Sequence, residues 1–483
     1  MAVTDVEGTA ALELEVPAKR SILRYNSPLA QVSLLGLICF CCPGMFNALS
    51  GLGGGDQVDA STADKANTAL YACFAVFAIL GGGAQNLLGP RATLMLGALT
   101  YPLYAGSFLY YKHHPESQAF PVTAGALLGA GAGFLWAAQG AVMTSYPPPN
   151  RRGTYISLFW CIFNLGSVLG GLLPFSFNYH RSNKQPASVV NNSTYIAFIA
   201  FMLVGAGLTV LVLPPAKIVR DDGTKATTTT SRVVVVPFSS PAAAEGAEIL
   251  KLFTNWKMLL VLLPAWASSS TGTLFFYTDQ FNGGVFTLRT KGLNNVVFWG
   301  AQMIGSAGIG YFLDFGFASR RKRGLFGVVA VAVVGTAIWG GGLANQLKYR
   351  GVELVDPIDF KDGHHRYAGP FMLYFCYGLL DAMFQTVIYW IIGALAINDS
   401  QILSRYVGFF KGVQSAGAAV AWQVNRRHTP LRSQLIVNWA LITVSYPLLA
   451  LLVFMAGKPW FMAVKDEDYS VSSVEDGKEN DSN

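Results

Sequence analysis

The stretch Pro370–Ile397, PFMLYFCYGLLDAMFQTVIYWIIGALAI, decides how this chain is read. It exceeds the roughly 20 apolar residues that a helix needs to cross a bilayer, yet it carries a carboxylate, Asp381, near its middle. The next apolar run, Tyr406–Trp422 (YVGFFKGVQSAGAAVAW), carries a lysine, Lys411. A lone charge in hydrocarbon costs roughly 2.5 kcal/mol or more, so it normally faces a bundle interior, a partner or a wet cavity. The two runs are sequential and hence antiparallel, which would let the opposite charges meet. The pattern is that of a polytopic membrane protein with a polar centre.

Composition agrees. Of 483 residues, 52% are hydrophobic and 13% charged, against roughly 25% charged in soluble domains. Glycine reaches 51 residues, as expected where helices pack closely in lipid. The formal charge of +7 does not point to nucleic acid, because no basic stretch is interleaved with exposed aromatics and the basic residues cluster between apolar segments. All six cysteines fall inside apolar segments and read as small packing residues. The six histidines fall in expected outer loops, and no motif suggests a metal, a cofactor or an enzyme.

Hydropathy gives about twelve spans in two groups of six. The first group runs from Ala30–Leu49 to Thr194–Leu213, the second from Met258–Thr278 to Leu435–Met455. The expected architecture is an all-α membrane protein of twelve transmembrane helices in two halves, residues 30–213 and 258–456. An N-terminal tail (1–29), a polar linker (214–257) and an acidic tail (457–483) complete it. Within the linker, Ile249, Leu250, Leu252, Phe253 and Trp256 alternate with Lys251 and Lys257 as in a short interfacial helix. Short-loop arginines, at Arg91, Arg151/Arg152 and Arg320–Arg323, place both termini and the linker in the cytosol under the positive-inside rule. The sequons at Asn191 and Asn192 then lie outside, where they are candidate glycosylation sites.

Two loops carry a shared pattern. After the second span stand Gly82, Asn86 and Arg91; after the eighth, Gly310, Asp314 and the basic run from Arg320. This resembles the Gly-x-x-x-Asp loop motif of the major facilitator superfamily, in which the Asp caps a helix end and pairs with basic residues across the halves. Asn86 replaces the Asp in the first copy, which weakens the charge network that the resemblance implies.

Further stretches carry a more specific likeness: Pro43–Gly55, Gly133–Gly140, Tyr146-Pro147, Arg152–Trp160, Phe163–Gly171, and the positions Tyr377, Asp381, Gln385, Tyr389-Trp390, Lys411 and Gln414-Ser415. Together they resemble the Unc-ninety-three-like family, a branch of the facilitator superfamily, in its fungal form. The resemblance implies the facilitator arrangement, in which the first, fourth, seventh and tenth helices line a central cavity. It implies no agreed substrate, since members are described as transporters, as channel regulators and as trafficking chaperones.

The cavity candidates are Asn47, Gln139, Tyr277, Asp381 and Gln385, joined by Lys411 and Gln414. Asp381 and Gln385 are four apart and share a helix face, as do Lys411, Gln414 and Ser415. Asp381 falls near mid-bilayer, a candidate carrier of a coupling proton. The alternatives are a static ion pair with Lys411, or a Lys411 that snorkels to the cytosolic interface. The expected function is movement of a small solute or ion by alternating access, with the lipid bilayer as surroundings and a proton as candidate coupling ion. The alternative is a non-transporting regulatory or trafficking partner of a channel or receptor.

Overall fold

The computed structural model describes residues 21, 23–51, 60–180, 192–226, 241–268, 276–348, 357–396, 399–426 and 430–455. The acidic tail, most of the N-terminal tail, the Thr227–Thr230 run and Asn191 lie outside them. Among the described residues the chain is almost wholly helical, with only isolated β-bridges, at Val219–Lys225 and Phe286–Ile358.

The first helix, α1 (Pro28–Cys39), begins where Ser27 accepts the Ala30 N–H at 3.2 Å and Pro28 occupies a position that needs no N–H donor. Pro43 cannot donate to the helical ladder, and the chain widens through Phe40–Gly44 before α2 (Met45–Gly51) resumes. Next come α3 (Ala60–Ala98), α4 (Thr100–His113), α5 (Ala119–Ser145), α6 (Arg152–Asn178) and α7 (Asn192–Leu208). After the linker, α8 (Pro241–Leu252) meets α9 (Trp256–Ala267) at a bend of 73°, and Asn255 caps α9 by accepting the Lys257 N–H at 3.0 Å. A widened segment, Phe276–Asn282, precedes α10 (Leu288–Phe315), α11 (Arg320–Leu347), α12 (His364–Leu395), α13 (Ser400–Arg426) and α14 (Leu431–Met455).

Among the described residues, nine helices are long and apolar enough to cross a membrane, or ten if α8 and α9 form one broken span. The expected count of twelve differs for three local reasons. The 49-residue stretch Lys65–His113 holds the expected second and third spans together. It breaks at Gly89, whose φ of 77° suits a residue without Cβ. The expected seventh span, Met258–Thr278, runs through residues 269–275, outside the described set. Helix α13 carries Arg405, Lys411 and Gln414, and its polarity keeps it below the apolar threshold.

Close helix packing rests on small residues. A Cβ on Gly129 of α5 would come within 2.0 Å of the Leu70 carbonyl of α3, and Gly125 and Gly133 sit one turn either side against the same helix. Backbone approach of this kind supplies van der Waals contact where lipid removes the hydrophobic drive for helices to associate. The same device joins the halves. Gly153 of α6 faces Gly310 of α10, and Gly82 of α3 faces the Ser404 carbonyl of α13. The outward faces carry exposed Leu203, Val204, Ile304 and Val333, an apolar surface suited to acyl chains.

One expectation needs correction. The first part of the expected polar linker, residues 214–226, packs against the bundle. Ile218 is fully buried, and the Arg220 guanidinium donates to the carbonyls of Tyr146 (3.2 Å) and Ser145 (3.0 Å), closing the end of α5. Cys39 and Cys42 stand in a C-x-x-C spacing, and both thiols are free and buried, as packing residues are.

Candidate functional site

Between the two halves lies a cavity of ≈ 120 Å³. Its lining includes Phe46 and Asn47 from α2, Tyr71 from α3, Trp136 from α5, Trp160 from α6, Trp299 and Gln302 from α10, Asp381 and Gln385 from α12, and Lys411 and Gln414 from α13. Asp381 and Lys411 are 6% and 5% exposed. Lys411 therefore points into the bundle rather than snorkelling to the membrane surface.

The two charges share the cavity but do not pair: among the described residues no salt bridge within 4.0 Å joins them. Each has its own neutral support instead. Gln302 Nε2 donates to Asp381 Oδ2 at 2.9 Å, and Gln385 Nε2 donates to the same carboxylate at 3.3 Å. Gln302 Oε1 in turn accepts from Asn164 Nδ2 at 3.3 Å, tying Asp381 to α6 of the other half. On the facing helix, Lys411 Nζ donates to Gln414 Oε1 at 2.8 Å, and Gln414 Nε2 donates to the Ser268 carbonyl at 2.7 Å. The ammonium also lies 4.8 Å from the Trp136 ring centre, 5.4 Å from Tyr389 and 5.5 Å from Phe410. Such faces attract a cation and lower the cost of burying it.

Of the other cavity candidates, Asn47 lines the space and donates to Ser167 Oγ at 3.1 Å. Gln139 does not line it. It sits nearly a turn further along α5 than Trp136, which takes the lining position, and its Nε2 contacts Met143 Sδ at 3.1 Å. Tyr277 does not line it either. The widened segment aims its ring at α12, where it stacks on Tyr377 at 4.2 Å and lies against Trp339. The expected lining from the first, fourth, seventh and tenth helices is thus incomplete, since α3, α6, α10 and α13 contribute as well. Gln302 was missed although it is a polar residue inside an apolar span, the same signal that marked Asp381.

The loop-motif residues gather at the linker end of the bundle. Asp314 of α10 crosses to the other half and caps α6: Oδ1 accepts the Gly153 N–H at 2.9 Å, and Oδ2 accepts the Thr154 N–H at 2.6 Å and its hydroxyl at 2.8 Å. Arg320 opens α11. Arg91 Nε donates to the Val212 carbonyl at 2.5 Å, tying α3 to the chain beyond α7. Asn86 donates to the Gln401 carbonyl at 3.2 Å and to Glu245 Oε2 at 3.3 Å. Glu245 belongs to α8 and also binds Arg405 of α13, so the carboxylate missing from position 86 is supplied by the linker helix. Sequence spacing could not reveal this, because the accepting carboxylate is 159 residues away. Asn192 opens α7 with its amide engaged by Lys112 Nζ (2.9 Å) and His113 Nε2 (2.9 Å).

The helices and their arrangement define an integral multi-pass membrane protein with a major-facilitator-like fold. In overall shape it is similar to the Escherichia coli fucose:proton symporter FucP, with a TM-score of 0.61 and 13% identity over 89% of this chain and all of that one. The family model described as ion channel regulatory protein UNC-93 matches residues 55–291. UNC93-like protein 1 of Arabidopsis thaliana is 61% identical over 435 residues, 89% of this chain and 91% of that protein. An UNC93-like protein of Schizosaccharomyces pombe is 40% identical over 422 residues, covering 87% and 81%. The chain belongs to the UNC93-like family. Both plant and fungal relatives match, so the comparisons do not single out the fungal form.

Proposed function

We propose that this protein moves a small solute across its membrane by alternating access around the central cavity, with Asp381 carrying a coupling proton. The observation that supports this is the cavity itself: a buried carboxylate and a buried ammonium line it without forming a salt bridge. An uncompensated buried ion is expensive and in a membrane protein marks a pathway or a site more often than a packing element. Both termini and the linker lie on the cytosolic side in this reading, with Asn191 and Asn192 opposite; protease cleavage of the linker in sealed vesicles of known orientation tests that assignment.

The rival reading is a non-transporting regulatory or trafficking partner of a channel or receptor, and the description of the matched family model favours it. Vesicles containing and lacking the protein, compared for all solutes with and without a proton gradient, separate the two. Transport predicts a solute that accumulates with the gradient and ceases to do so in Asp381→Asn. No difference for any solute leaves the partner reading.

A further inference from the structure

We infer that the cavity recognises a small zwitterion, an amino-acid-like or betaine-like molecule whose anionic end meets Lys411 and whose cationic end meets Asp381. The inference rests on the reading of the cavity as a solute site and adds the class of solute.

Four groups carry it. On one wall, among the described residues, Lys411 Nζ has one hydrogen-bond acceptor, Gln414, and otherwise lies near ring faces. On the other wall, among the described residues, Asp381 accepts from two side-chain amides, those of Gln302 and Gln385. Among the described residues, Trp160 Nε1 is a buried donor that bonds no protein group, and Gln385 Oε1 is a buried acceptor that bonds none. Both residues line the same cavity. The space therefore presents an ammonium, an unpartnered indole N–H, a carboxylate and, next to that carboxylate, an unpartnered amide oxygen.

Electrostatics then selects the ligand. A free anion gains Lys411 but faces the Asp381 carboxylate, and a free cation faces the reverse problem. A neutral polyol satisfies the amides but gives neither ion a counter-charge in direct contact. A zwitterion supplies one counter-charge to each wall, and charge-assisted hydrogen bonds are about twice as strong as neutral ones. The like-charge contact that penalises single-sign ligands is itself a source of specificity. The aromatic rings, Trp136, Trp160 and Trp299 among them, suit the apolar part of such a molecule.

The test measures binding to the purified full chain in nanodiscs, by thermal-shift titration, so it does not depend on transport. The probes are the proteinogenic amino acids and glycine betaine, each amino acid accompanied by its decarboxylated amine and its deaminated acid, with fucose and glucose as neutral probes. The expected result is one zwitterion bound at least tenfold more tightly than its own amine and acid. Lys411→Met should remove the preference over the amine, and Asp381→Asn the preference over the acid. If no zwitterion binds, or if an amine, an acid or a sugar binds equally well, the inference is overturned. A zwitterion that binds without ever being transported leaves the inference standing and overturns the transport reading instead.

Discussion

Glu245 of the linker helix holds Arg405 of α13 through two hydrogen bonds, 2.9 Å to Nε and 2.6 Å to Nη2, and the same carboxylate accepts from Asn86 of α3. Three segments, one from each half and one between them, thus meet at a single carboxylate on the linker side. Arg405 and Glu245 are 12% and 13% exposed, enough burial for the pair to matter. Glu245→Gln keeps the shape and removes the charge. The contact of Gly82 with Ser404 should open more often, and a Ser404→Cys reporter should react about tenfold faster with a polar thiol reagent, as expected for the loss of roughly 1.4 kcal/mol. Glu248→Gln, at a 42% exposed residue, should change little. Equal rates in all three proteins would show that the linker helix does not hold this contact.

Restoring the facilitator motif should harm this protein. Asn86→Asp would place a second carboxylate within about 3.3 Å of Glu245 Oε2, in a partly buried spot. Like charges at that range repel. Asn86→Asp is expected to lower the thermal midpoint in the native background and to be tolerated once Glu245→Gln is also present. A midpoint raised by Asn86→Asp alone would mean that Glu245 does not fill the missing role.

Asp314 offers a comparison from the other loop. Its carboxylate accepts three hydrogen bonds from Gly153 and Thr154 at the start of α6. An anion at a helix N-terminus is favoured by the unpaired N–H groups there. Asp314→Asn turns part of that acceptor into a donor facing N–H groups. It should destabilise the protein by about 2 kcal/mol, read as a lower midpoint in detergent.

The fold was legible because its largest signals are local. Apolar runs such as Pro370–Ile397 and glycine steps such as Gly125–Gly133 declare helices and their packing faces within a few turns. The charges at 381 and 411 were equally plain, and both fall in the cavity wall. Their relation was not, because the axial register of two helices does not say how each is rotated. Gln302 and Gln414 set that outcome by engaging each charge separately. Tyr277 was misplaced for a related reason: the widened turn at Phe276–Asn282 shifts the helical phase, which a period of 3.6 residues cannot anticipate. The Glu245–Arg405 link was invisible because it joins distant segments through a polar linker whose composition carries no register.

On the side opposite the linker, Arg289 binds Asp359 at 2.7 and 2.9 Å and donates to the Tyr179 carbonyl beyond α6, linking the halves there. Burial alone would raise the Asp359 carboxyl, but hydrogen bonds from Arg289, Thr287 and the Lys361 N–H outweigh it and hold the pKa below 3.8. A carboxyl whose folded pKa is depressed adds stability that is fully present above its unfolded pKa of about 3.9 and is lost as pH falls through the folded value. The thermal midpoint of the native protein should therefore fall more steeply below about pH 4 than that of Asp359→Asn. At neutral pH the variant should be less stable by about 3 kcal/mol, since it leaves Arg289 poorly matched. Parallel acid limbs for the two proteins would remove Asp359 from the account.

The absence of a direct Asp381–Lys411 contact makes the final prediction. Were the two an ion pair, removing one would strand the other, and removing both would recover much of the loss. Here Asp381 leans on Gln302 and Gln385, while Lys411 leans on Gln414 and three aromatic rings. Each single variant, Asp381→Asn or Lys411→Met, then disturbs its own wall. Because the two charges face one cavity without touching, the coupling should be modest, about 1 kcal/mol, well short of that for a broken buried pair. Midpoints of the native protein, both single variants and the double variant give the coupling directly. A coupling of several kcal/mol would mean that the charges meet in the dominant state, and the cavity would then hold a pre-formed pair rather than two free poles.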